Sequence, residues 1–131
     1  MTYAILPHTA DIKATLSSRD LKGLHQSAVD LIREVLVGAS DVAETEVRTV
    51  PLEGPEPGEQ FYRFVRELLY LYDVERFIPA RVTAMDPPTV SGEILDPRRH
   101  VYEHQVKAVT RHQYAFRRRA EGYRVEILFD L

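Results

Sequence analysis

The sequence predicts an α+β domain: a two-layer sandwich with two helices packed on one face of a mixed, mostly antiparallel sheet, in the order β-α-β-α-β-β-β-β. Three observations carry this. Two segments repeat their apolar residues at steps of three and four, the pattern of a half-buried helix. Between and after them lie short stretches rich in β-branched and aromatic residues, bounded by Gly, Pro and Asp. The chain closes on two alternating segments around Ala120-Glu121-Gly122, which read as a hairpin. Laying both helical stripes on one side of a sheet is the simplest way to bury them.

Along the chain, residues 3–6 and 12–16 read as strand pieces flanking a polar block, Pro7-His8-Thr9-Ala10-Asp11. An unpaired polar group on a packed sheet face costs several kcal/mol, so Asp11 implies either an edge in water or a partner. In the first helix, Leu21, Leu24, Ala28, Leu31, Ile32, Val35 and Leu36 form the stripe. Ser17 or Ser18 can cap its start, Asp20 suits its positive first turn and Gly38 its stop. Residues 45–52 alternate as an exposed strand, and 54–58 form a turn. The second helix spans 59–75, with Phe61, Phe64, Val65, Leu68 and Leu71 or Tyr72 as its stripe. Phe61, Phe64, Tyr70 and Tyr72 are expected in the core, and Glu67 in a surface pair with Arg63 or Arg66. Strands at 80–85 and 89–95 flank Asp86-Pro87-Pro88, 96–104 is loop, and 106–117 and 123–131 make the last hairpin.

At 131 residues the chain fits a single domain, 1–131, within the usual ~100–200 residues per domain. Hydrophobic residues are 44% and charged residues 28%, ordinary for a globular protein. Cysteine is absent, which excludes disulfides and thiolate metal sites and points to a reducing cytoplasm. No apolar run reaches the roughly 20 residues of a membrane span, and the N-terminus lacks the pattern of a signal peptide. The expected location is cytoplasmic, with no membrane partner. A net charge of −3 argues against broad nucleic-acid binding. The bases nevertheless gather at Arg98-Arg99-His100 and in the 111–119 strip, read either as the solvated side of a hairpin or as a contact with RNA phosphates or an acidic partner. Neither a nucleophile elbow nor a phosphate-cradling glycine loop is present, so stand-alone catalysis is not expected.

The hairpin allows one further step. A connection at 119–122 that pairs Arg118 with Tyr123 puts Asp130 opposite Arg111; a shorter one puts it opposite Gln113. Sequence leaves both registers open. In either, Lys107 and Asp130 share the less apolar face, while Thr110 and His112 have the parity of the apolar one. The main-chain oxygens of Leu131 lie one residue from the Asp130 carboxylate. Acids that close repel each other unless a cation or donor lies between them, or solvent screens them.

Five blocks, "HTADI", "ELLYLYD", "GEILD", "VKAVTRH" and the closing "VEILFDL", occur in the order and spacing of the archease family, and the chain resembles archeases over its whole length. Arg111 departs from the pattern, where an aromatic is commoner. The resemblance implies an archease-like fold and a non-enzymatic role. It implies an activator of the tRNA-splicing RNA ligase that promotes ligase guanylylation by GTP and multiple turnover. The ligase is then the partner, GTP is met only through it, and RNA contact is indirect or weak. The resemblance also implies a divalent-cation site, calcium or else magnesium or manganese, held by Asp11, Asp130 and the main-chain oxygens of Leu131. Lys107 is implied to contact the partner or a phosphate. Carboxylates and carbonyls suit such hard ions. His8, Thr110 and His112 are candidates to support the ligands, although His8 satisfied within its own strand is the plainer reading. His100 and His104 stand four apart, a metal spacing only on a helix, which Pro97 disfavours. Two other readings are a stand-alone metal-dependent hydrolase using Asp11, Asp130 and His8, and a chaperone-like or RNA-binding adaptor using the 111–119 strip.

Overall fold

A computed structural model describes residues 1–6, 11–102 and 105–131. Its elements are β1 (Thr2–Leu6), β2 (Asp11–Ser18), α1 (Leu21–Val37), β3 (Glu46–Thr49), α2 (Pro57–Glu75), β4 (Phe77–Met85), β5 (Pro88–Ile94), β6 (Ala108–Arg119) and β7 (Gly122–Asp130). The α+β class and both helices are as the sequence predicts. The strands divide between two sheets, β1-β2-β7-β6 and β3-β5-β4, with every described pairing antiparallel. Periodicity marks a strand without naming its neighbour, so a single sheet is the natural reading of the sequence alone. The polar block separates two strands rather than interrupting one: β1 and β2 pair antiparallel, and Asp11 opens β2.

Helix α1 is capped by Asp20 rather than by Ser17 or Ser18, which belong to β2. The Asp20 Oδ1 accepts from the Gly23 N–H at 2.7 Å, a cap worth about 1 kcal/mol. Gly38 ends the helix at φ 60, its N–H on the Glu34 carbonyl at 2.8 Å. Helix α2 starts two residues earlier than expected, with Pro57 in its first turn, where the missing N–H costs nothing. In α2 Tyr70 is 57% exposed, correcting the expectation that it is core; Tyr62 is buried instead. Arg63 pairs with Glu59 at 2.7 Å, not with Glu67.

Both helical stripes bury against both sheets. Leu24, Leu31 and Ile32 of α1 meet Phe61, Phe64 and Leu68 of α2, with Leu16 and Ile127 from the first sheet and Phe77 and Ile78 from the second. Across β2 and β7, Ile12, Ala14 and Leu16 stand opposite Phe129, Ile127 and Val125 and point inward. The alternate positions form the open face of the first sheet, and the site lies there. Among the described residues no helix is long and apolar enough to cross a membrane.

Candidate functional site

Strand β2 begins where β7 ends. Asp11 lies directly opposite Asp130 in the antiparallel register, so both side chains leave the same face at the same end of the sheet. One Asp11 carboxylate oxygen is buried, while Asp130 is exposed and Leu131 half-buried. On the other side of β7, Ala108 stands opposite Asp130, and the Lys107 N–H donates to the Asp130 carbonyl at 2.8 Å. Three segments far apart in sequence therefore meet: the start of β2, the end of β7 and the residue before β6. Lys107 is exposed beside them.

The parity argument for Lys107 needs correction. Arg118 does pair with Tyr123, but the register then shifts: between Thr110 and Ala115, β6 takes five steps while β7 takes two. The odd excess inverts the alternation, so Ala108, not Arg111 or Gln113, faces Asp130. Lys107 precedes the regular strand. The same inversion takes Thr110 and His112 off the core. Thr110 is half-buried opposite Leu128 on the open face, two residues along from Ala108, and its Oγ1 accepts from the His112 N–H at 3.1 Å. His112 is exposed.

The bulge is fastened to the start of α2. Arg111 grips Glu59 with both guanidinium nitrogens at 2.7 Å and lies 4.1 Å over the Tyr62 ring. The Tyr62 hydroxyl donates to the Val109 carbonyl at 3.1 Å, and the Tyr114 hydroxyl to the Gly58 carbonyl at 2.6 Å. Gln113 takes φ 59 to let the chain through. Hydrogen bonds from Arg111 and then Arg63 hold the Glu59 carboxyl at about 2, far below its ordinary value. Burial raises the Tyr114 hydroxyl well above its ordinary value. Sequence reasoning missed this anchor because its partners lie fifty residues apart.

Of the other candidate histidines, His100 is accounted for within the fold. His100 is buried, with Nε2 3.0 Å from Glu93 Oε1 and Nδ1 accepting from the Asp96 N–H at 2.9 Å. Glu93 also holds Arg99 and the Ala43 N–H, and Arg99 above all keeps its carboxyl at about 2. His8 and His104 lie outside the described residues. Among the described residues no group of three or more His, Cys, Asp or Glu gathers where it could hold a metal ion. A cation at this end of the sheet would have the two Asp carboxylates and main-chain oxygens. That is a hard-oxygen donor set with room for water or a partner's ligand.

Comparison with known proteins agrees with this architecture. The model of the Archease protein family (MTH1598/TM1083) matches residues 3–131. A protein archease from Methanosarcina acetivorans is 27% identical over 139 residues, covering 98% of this chain and 95% of its own. One from Archaeoglobus fulgidus is 27% identical over 137 residues and covers both chains fully, at 100%. The solution structure of Methanobacterium thermoautotrophicum protein 1598 superposes with a TM-score of 0.77 at 21% identity, covering 98% of each chain. A crystal structure from Thermotoga maritima, described as an archease and possible chaperone, superposes at 0.73 with 22% identity, covering 96% of this chain and 94% of that one. The chain belongs to the archease family.

Proposed function

We propose that this chain is a non-catalytic activator of a tRNA-splicing RNA ligase, and that it works through a divalent cation held by Asp11, Asp130 and the main-chain oxygens of Leu131. The observation that supports it is the register that sets Asp11 directly opposite Asp130 beside Lys107. When bound, the cation supplies positive charge for nucleotide phosphates during guanylylation by GTP. The chain's own residues do the rest. Asp11 and Asp130 orient the donor oxygens from two strands of one sheet, which leaves positions open toward the ligase. The exposed ammonium of Lys107 reaches a phosphate or a ligase carboxylate. The anchor of Arg111 on Glu59 fixes the β6 start and therefore the position of Lys107.

A multiple-turnover ligation assay with the cognate ligase tests this. Wild type should raise guanylylation and turnover at substoichiometric amounts and do nothing alone, while Asp11→Ala, Asp130→Ala and Lys107→Ala should each lose most of the stimulation. Full stimulation by all three variants would refute the site. Turnover of a phosphoester by the protein without ligase would instead favour the hydrolase reading.

A further inference from the structure

We propose that Lys13 is a second phosphate contact beside the carboxylate pair, so that the site takes a divalent cation together with a polyphosphate rather than the bare ion. This rests on the cation site proposed for Asp11 and Asp130. Alternate residues of β2 and β7 leave the open face, so the row next to Asp11, Asp130 and Ala108 is Lys13, Leu128 and Thr110. Lys13 therefore follows Asp11 on the same side of the same strand, with its Cα roughly 7 Å away. Lys107, before β6, flanks the acid pair across β7, and Lys13 flanks it on β2.

Two features separate Lys13 from an ordinary surface lysine. It is half-buried, and it makes no ion pair or side-chain hydrogen bond with a described residue. Acids occupy the rows on both sides, Asp11 and Asp130 in one and Glu126 in the other, and none of them forms an ion pair with it. Its row neighbour Leu128 points to the open face yet is only 6% exposed, and it lies outside the main core cluster. Side chains directly opposite across two strands stand about 5 Å apart at Cβ, so the Lys13 stem runs beside Leu128. A stem on an apolar neighbour leaves the ammonium at the rim. A bare dication on the two carboxylates meets that positive charge one row away, and the two repel. An anion bound to the cation reverses the sign. Hard ions held by one or two carboxylates complete their shell with substrate phosphates rather than with a protein cage. A polyphosphate that chelates the ion keeps charged oxygens for a neighbouring ammonium, which lysine contacts as a point charge. A dicarboxylate brings less charge and fewer oxygens.

The test follows amide NMR shifts of the purified protein, without ligase, in two titrations at low salt: magnesium alone, and tripolyphosphate with excess magnesium. Lys13→Met keeps the stem and drops the charge. It should bind magnesium alone about threefold more tightly and magnesium tripolyphosphate about tenfold more weakly. Opposite shifts from one substitution do not come from loss of fold. Lys13→Arg should keep the wild-type order, and Lys22→Met, which removes the same charge from the exposed start of α1, should match wild type in both titrations. Equal binding of magnesium tripolyphosphate by wild type and Lys13→Met overturns the proposal and leaves the cation site standing. So does an equal loss of magnesium malonate in Lys13→Met, which would assign the lysine to a partner's carboxylate. Magnesium that shifts no amide at Asp11 or Asp130 of the wild type, with or without tripolyphosphate, removes the cation site itself and this proposal with it.

Discussion

At the scale of single residues, the carboxylates of Asp11 and Asp130 stand opposite each other on one face, where like charges oppose folding by roughly 0.2–1 kcal/mol. Asp130→Asn should therefore raise the melting temperature by about 2 °C in chelated buffer. Millimolar divalent cation should stabilise the wild type and leave the variant unmoved, reversing their order. Thermal melts with and without cation check both halves. A second residue-scale tension is His25. Its Nδ1 bonds the Leu21 carbonyl at 2.7 Å, while the buried Nε2 has no hydrogen-bond partner among the described residues and the ring makes T-shaped contacts with Phe61 and Phe64. Burial lowers its pKa below the ordinary histidine value.

At the scale of elements, the bulge in β6 decides what faces what. Tyr62→Phe removes the hydroxyl that donates to Val109 and should cost about 1 kcal/mol. Amide exchange at residues 108–115 should quicken more than in β2, and mass-spectrometric hydrogen exchange checks it. This element also shows where the sequence stops being readable. The helical stripes of α1 and α2 follow from local spacing, and the structure keeps nearly every residue assigned to them. The inward face of β7 is equally legible in its alternation. The bulge is not, because period-2 reasoning assumes an unbroken ladder; three surplus residues between Thr110 and Ala115 invert every assignment upstream. Thr110 and His112 leave the expected core for that reason. The pairing of Asp11 with Asp130 is a contact between chain ends, and no local pattern encodes it. Only the family resemblance points to it.

At the scale of the whole molecule, titration ties these pieces to stability. Burial depresses His25 below its ordinary 6.5 in the fold, so the unfolded chain takes up the proton first and stability falls as pH drops below about 6.5. Glu59 and Glu93 are held at about 2, against 4.5 when unpaired. Their contribution is complete above pH 4.5 and is lost between 4.5 and 2. Urea melts from neutral to acid pH should show two stages of loss, and His25→Phe should lack the upper one. The fold as a whole sets a polarity on the open face of the first sheet, arginines at the hairpin end and carboxylates where β2 begins and β7 ends. The acidic pole is the foundation of the functional account, and manganese titration followed by amide NMR tests it most directly. Paramagnetic broadening should centre on Asp11, Ala108, Asp130 and Leu131 and vanish in Asp11→Asn/Asp130→Asn. Broadening that centres elsewhere, or persists unchanged in that double variant, would contradict the account.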